Sequence, residues 1–267
     1  MFVLNDDDER RVNFMAKKKN RVGEENFSNE GYKMLIVECD GYTNMIVEFQ
    51  DEYKAKVKCR YDHFKNGEVK NPYHKSVFGK GYIGLGKYSR STHPKIYNEW
   101  FHMLERCYDE NLHKKYPTYT KCTTDNYFLC FQNFAKWYEE NYYKVKEEIM
   151  CLDKDILFKR NTIYSPKTCI FVPNRINTLF IKADKSRGDY PIGINYDKKL
   201  NKLKVTCQID KRKKHLGLFE LTQVIEAFNC YKIFKENYIK QVADEYKDLI
   251  PTELYEAMYK YEVEIND

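Results

Sequence analysis

The sequence predicts an α+β fold: a small N-terminal β-rich, barrel-like domain (31–90), a central ββα domain with flanking helices (95–182), and a C-terminal three-stranded sheet plus helices (188–267). Three observations predict it. Short alternating apolar runs separated by turn residues fill the first part, a helical period takes over at Ile96, and strict alternation returns at Lys202–Ile209 ahead of long helical stretches.

Residues 1–30 pass from an acidic cluster (Asp6, Asp7, Asp8, Glu9) to a basic one (Lys17, Lys18, Lys19, Arg21) with weak hydrophobic periodicity, which predicts a flexible or partly helical arm. Met34–Val37 and Met45–Phe49 are β-prone runs split by the turn-like Asp40-Gly41-Tyr42-Thr43-Asn44. Lys54–Tyr61 alternates as a half-buried strand does, and its Lys face suits either solvent or phosphate. Lys65-Asn66-Gly67 signals a turn, and Gly79, Gly81, Gly84 and Gly86 mark a glycine-rich exit.

Ile96, Trp100, Met103, Leu104 and Cys107 fall on one helical face. A second helix is expected over Phe131–Met150, with Phe131, Phe134, Trp137, Tyr138 and Tyr142 inward. Apolar runs at Leu152, Ile156–Phe158 and Cys169–Val172, broken by Arg160-Asn161 and Ser165-Pro166, predict a β-hairpin leading into a short helix near Asn174–Phe180. Gly188–Pro191 reads as a linker. Helices follow the last strands, from about Thr222 to Lys247 and from Thr252 to Tyr261, with Thr222 and Thr252 as N-caps.

Net charge is +6, from 46 basic and 40 acidic residues. A surplus of that size says little alone, but its distribution is oriented. Lys185, Arg187, Lys198, Lys199, Lys202, Lys204 and the run Lys211–Lys214 face only Asp189, Asp197 and Asp210 in the same stretch. After Gly217 acids dominate, from Glu220 to Asp267.

The nine cysteines are odd in number and form no CxxC pair, and nothing at Met1–Arg11 resembles a signal peptide. Free thiols in a reducing cytoplasm are the expectation, and paired zinc-type spacing is absent. No apolar run approaches the roughly 20 residues of a membrane span, so no membrane partner is expected. His63, His74 and His93 stand alone and read as surface or loop residues.

Pro191-Ile192-Gly193-Ile194 opens the third module. Lys202–Ile209 alternates, Lys211–Lys214 forms a basic turn, His215-Leu216-Gly217-Leu218-Phe219 is a further strand, and Glu226–Tyr231 sits in a helix behind. This strand, turn, Leu-Gly-x-Phe and helix order resembles the AP2 family of DNA-binding domains. Its strand face here is Lys-rich, not Arg- and Trp-rich. The resemblance implies a sheet that enters the major groove of double-stranded DNA. Lys202, Lys204, Thr206 and Gln208 share one face of the strand, opposite Leu203, Val205, Cys207 and Ile209. The DNA-contacting set is then Lys198, Lys202, Lys204, Thr206, Gln208, Lys211, Arg212, Lys213 and Lys214, with lysines on phosphate and Thr206 and Gln208 within reach of base edges.

Leu152-Asp153-Lys154-Asp155-Ile156, Asn161, Ile163–Pro166, Thr168–Pro173 and Ile176-Asn177 resemble the His-Asn-His (HNH) endonuclease motif of phage and homing-type proteins. That family holds one divalent ion on the scissile phosphate and uses a His as general base. The resemblance places Asp153 as metal ligand and Asn177 at the last motif position. Lys154 falls where the base His stands, and Thr168 where the central Asn stands. Asp155 substitutes as ligand or base, which makes Asp153, Lys154, Asp155 and Asn177 the catalytic candidates. Asp153, Asp155 and Asn177 are the candidate ligands of Mg²⁺ or a similar ion. A lysine ordinarily titrates near 10.4 and is a poor base. Segments Val69–Gly84 and Tyr97–Tyr108 are also similar to parts of phage-encoded proteins of this kind.

The expected function is DNA binding by a phage-type, HNH-like protein whose nuclease fold departs from the catalytic pattern and which is a metal-dependent DNA endonuclease if that site is active. One alternative is a DNA-binding regulator without cleavage. The other is a protein-binding inhibitor of a host nucleic-acid-targeting defence system, its acidic helices docking on a host defence protein.

Overall fold

A computed structural model describes residues 19–181, 189–210 and 212–267. Most of the expected N-terminal arm, Lys185, Arg187 and the phosphate candidate Lys211 lie outside the described residues. The chain is mixed α+β with several small sheets, in two compact units divided between Leu104 and Glu105, with Leu129–Asn133 returning to the first.

The first unit carries an antiparallel sheet of β1 (Glu25–Phe27), β2 (Lys33–Cys39), β3 (Met45–Phe49) and β4 (Lys56–Cys59), in the order β1-β2-β3-β4. It is not the expected barrel. Closure needs the first and last strands to pair, whereas β1 and β4 are opposite edges of an open meander. Instead the short helix α1 (Tyr61–Lys65) sets Phe64 into a core with Met34, Ile36, Met45, Val47 and Phe49. β1 begins within the stretch assigned to the arm, and Asn26 of β1 donates to the Phe64 carbonyl at 2.7 Å.

Helix α2 (Pro94–Tyr108) buries all five residues of its expected face, Ile96, Trp100, Met103, Leu104 and Cys107. Gly81, in the glycine-rich segment, lies so close to α2 that a side chain there would overlap Leu104 and press on Trp100. Two short helices, α3 (Glu110–Lys115) and α4 (Asn126–Leu129), precede α5 (Phe131–Asn141). The last is shorter than expected. Phe131, Phe134, Trp137 and Tyr138 are buried, but the helix stops before Tyr142, whose ring stacks on Tyr138 at 4.8 Å. The chain beyond it is held elsewhere: the Tyr143 hydroxyl donates to the Phe171 carbonyl at 2.7 Å, and Lys146 takes a positive φ of 46°.

In the second unit, β5 (Thr123–Thr124) pairs in parallel with β7 (Ile163–Tyr164). β6 (Met150–Asp153) pairs antiparallel with β8 (Ile170–Pro173), which runs straight into α6 (Asn174–Leu179), giving the expected hairpin and short helix. A second sheet has the order β11-β10-β9, from β9 (Ile194–Asp197), β10 (Lys202–Ile209) and β11 (Arg212–Phe219). Helices α7 (Val224–Tyr246) and α8 (Thr252–Tyr259) follow. Neither expected threonine cap forms. Gln223 and Pro251 hold the cap positions, and Thr252 is already the first helical residue.

Helix α7 is the common spine of this unit. Its first half sets Ala227, Phe228 and Tyr231 against Ile194, Leu203, Val205 and Cys207 of the three-stranded sheet. Its second half sets Tyr238, Ile239, Val242, Ala243 and Tyr246 against Ile156, Ile170, Val172, Ile176 and Leu179 of the ββα segment, with Leu254 and Met258 of α8. Both motifs thus draw their apolar burial from one helix of 23 residues.

Candidate functional site

Strand period and register decide which side chains share a face. In β10, Leu203, Val205 and Cys207 are buried, which turns Lys202, Lys204, Thr206 and Gln208 to the other side. Residues directly opposite across antiparallel strands lie on the same face. Lys204 is opposite Asn195 and Leu218, Thr206 opposite His215, and Gln208 opposite Lys213. Asn195, His215 and Lys213 therefore join the outer face. Sequence reasoning missed the first two, because only register reveals them.

The pairing shifts between Val205 and Thr206, leaving Leu216 as the extra residue of a bulge in β11. Beyond it, Lys213 and His215 point outward, while Lys214 pairs with Cys207 and Arg212 with Ile209 on the inner side. The Lys214 ammonium lies 4.8 Å from the centre of the Phe234 ring on α7. The basic run so divides between two faces, as a period of two requires.

The other expected contacts vary in availability. Lys202 is ion-paired with Glu220 at 2.8 Å. Lys198 is exposed in the β9–β10 turn, which Asp197 builds by accepting from the Lys199 and Leu200 amides. The Gln208 amide donates to the Asp210 carbonyl at 2.8 Å, so only its oxygen is uncommitted in these contacts.

The ββα segment arranges the nuclease-motif residues differently from a metal cradle. Asp153 ends β6, and its Oδ1 accepts from the Asp155 and Ile156 amides at 2.8 and 2.7 Å, a turn-forming role. Burial first, and the Asp155 carboxylate second, push the Asp153 carboxyl up to about 6. Lys154 Nζ is 3.4 Å from Asp155 Oδ2 and 5.6 Å from the Tyr164 ring centre, with only 12% of its side chain exposed. Asn161 donates to the Lys154 and Ile163 carbonyls at 2.7 and 2.8 Å, and Thr168 donates to the same Ile163 carbonyl at 2.7 Å. Asn161 and Thr168 together strap the loop that carries Lys154. Asn177 lies half-buried in α6, its carbonyl accepting from the Phe180 amide.

That donor set does not fit a divalent cation. Asp153 Oδ1 already accepts two amides, and the Asp155 carboxylate has an ammonium beside it. Among the described residues no three His, Cys, Asp or Glu side chains come together as a metal-ligand group. His74 meets the Tyr32 hydroxyl and His93 meets Thr92, both within the first unit.

Nothing in the local sequence announces the neighbours of Lys154: its charge acts on the Cys107, Cys122 and Cys169 thiols, and Arg106 acts on the hydroxyl of Tyr164, whose ring lies beside the ammonium. Burial pushes the Cys107 and Cys169 thiols up to about 12, so they remain protonated. None of the nine cysteines, all among the described residues, is in a disulfide.

The Asp153 carboxyl has a measurable consequence. It binds its proton more tightly folded than unfolded, so stability falls as pH rises from about 4 to about 6 and levels off above. Asp153→Asn keeps the turn-forming oxygen and removes the buried charge. In metal-free buffer with chelator, urea unfolding is expected to show the variant about 1–2 kcal/mol more stable than the parent near neutral pH. Near pH 4 the two should coincide. A variant less stable than the parent near neutral pH would show that the charge is compensated.

Family models, curated proteins and solved structures were each compared with the chain, and none matches. Among the described residues no helix is long and apolar enough to cross a membrane.

Proposed function

We propose that this chain binds duplex DNA through the outer face of the β9–β10–β11 sheet, with the nuclease-like ββα segment serving as a non-cutting scaffold on the same helix. One observation carries the reading: Lys204 and Lys213 stand on that face with no acid opposite them across the strands. In the first unit Lys56 lies opposite Glu48 and 3.8 Å from it while Lys58 lies opposite Ile46, and on the outer face the acids Asp197 and Glu220 meet Lys202 alone of the β10 lysines. Uncompensated cations on a two-sided ribbon suit a phosphate backbone, and the polar Thr206, His215 and Asn195 between them suit base edges.

Lys154 in place of a base and the misfit of the donor set favour binding over cleavage. The AP2-like order of strands and helix also supports a DNA reader. Acidic docking on a host defence protein has less behind it, because Glu264 and Asp267 are already paired with Lys159 and Glu256 with Lys260.

Supercoiled plasmid tests both halves in one assay. Retardation that weakens steeply with added salt is expected, because each lysine–phosphate contact releases a counterion. No nicked circles should form with Mg²⁺ or Mn²⁺, for the parent or for Asp153→Ala. Salt-insensitive retardation would remove the DNA reading, and nicking that depends on Asp153 would restore the enzyme.

A further inference from the structure

We infer that Arg175 is a positioning residue for the nucleic-acid face: it cancels the carboxylate of Asp210 at the tip of the β10–β11 hairpin, so that the tip can approach phosphate. The inference rests on the reading of the outer face just proposed.

Asp210 is the one acidic residue between Lys202 and Phe219. It sits in the turn with a φ of 50°, next to the paired residues Ile209 and Arg212 and close in sequence to Lys213. Left alone, its charge would oppose phosphate where the ribbon is most cationic. Arg175, the second residue of α6, reaches across to it. Nε donates to Asp210 Oδ1 at 2.9 Å, and Nη1 donates to Glu245 Oε2 of α7 at 2.6 Å.

The guanidinium is fixed on its other sides as well. Its central carbon lies 5.7 Å from the Tyr246 ring centre, and the Tyr238 hydroxyl lies beside both it and Asp210. A planar fork held between two carboxylates and an aromatic ring has little freedom to leave. An open cleft of about 700 Å³ lies at the same tip, lined by Ile209, Asp210, Arg212, Lys213 and Lys214. Of its cations, Lys213 belongs to the outer face and Arg212 and Lys214 to the inner side, and with Asp210 engaged by Arg175 the lining carboxylate no longer opposes a phosphate that reaches Lys213.

Two roles for Arg175 predict different results. If it only fastens α6 to the hairpin, losing either partner of the pair is equally harmful. If it cancels a charge, removing Asp210 is harmless and repairs the loss of Arg175.

The experiment measures binding of a short duplex by fluorescence anisotropy at moderate salt. Arg175→Gln keeps amide donors without the charge and is expected to bind about fivefold more weakly, the scale of one uncompensated charge near two phosphates in water. Asp210→Asn should bind as well as the parent or better. The double variant should return to the parent's affinity, and Arg175→Lys should stay close to it. Asp210→Asn as weak as Arg175→Gln, or a double variant that is not rescued, would overturn the inference. Lys204→Glu with Lys213→Glu separates the two levels: if that variant loses binding while the Arg175 series is flat, only Arg175 is misread. If the parent does not bind duplex at all, both readings fall. Circular dichroism at the assay temperature keeps unfolded variants from being scored. Should Arg175→Gln fail to fold, affinity raised by Asp210→Asn alone supports the charge role, and affinity lowered by it overturns that role.

Discussion

Reversing two charges on the outer face, Lys204→Glu with Lys213→Glu, is expected to weaken duplex binding on the order of a hundredfold at moderate salt. Neither lysine faces an acid across its strand, so both charges are available to phosphate. Reversal removes two cations and adds two anions, and the slope of affinity against salt should flatten by about two or more in its logarithmic form. The stability of the fold should barely change, because both side chains point away from the apolar row of Leu203, Val205 and Cys207. The sharper control is the next residue along the strand. Lys214→Glu changes the same charge one position away, but that side chain lies over Phe234 on the inner side. Gel retardation with the single variants should rank Lys213→Glu well above Lys214→Glu in binding loss. Equal losses would mean that the hairpin is read as an unstructured basic run, not as a face.

That contrast also marks where sequence reading stops. Alternation in Lys202–Ile209 is a local signal, and it correctly separated the inward from the outward residues of β10. The faces of β11 depend on pairing, and the bulge at Leu216 moves the alternation by one residue there. No pattern within Arg212–Phe219 announces that shift, so the sequence alone groups Lys214 with Lys213 and leaves His215 out of the face. The α2 face was legible for the same reason as β10, since Ile96, Trp100, Met103, Leu104 and Cys107 repeat at helical spacing.

The barrel failed because strand propensity carries no information about which edges meet. Around Asp153 the residue types were legible and their employment was not. A carboxylate that could bind a metal is equally able to accept two turn amides, and only geometry shows that it does. The environment of Lys154 includes Cys107 and Cys122, distant in sequence, which a local motif cannot include.

Gly193→Ala is expected to cost about 2–5 kcal/mol, a large effect for one methyl group. Gly193 has a φ of 82°, a conformation that burdens any residue with a side chain. Its carbonyl accepts from the Thr206 amide at 2.9 Å, so the backbone cannot relax without loosening the start of β9 on β10. A Cβ built at this position would also overlap the ring of Tyr231, which is buried among the apolar side chains under the sheet. Strain and overpacking thus act at one point, where the sheet meets α7. Urea unfolding of the parent and variant measures the sum, and Tyr231→Ala separates its parts. In the Tyr231→Ala background the overlap is gone and only the backbone strain remains, so the added cost of Gly193→Ala should fall to about 1–2 kcal/mol. An undiminished cost in that background would place the whole effect in the backbone. A cost below about 0.5 kcal/mol in the parent would mean that β9 does not lie on Tyr231, and the outer face built from its register would lose its support. Because α7 also carries the ββα core through Ile239 and Val242, the variant should lower the unfolding midpoint of both segments together.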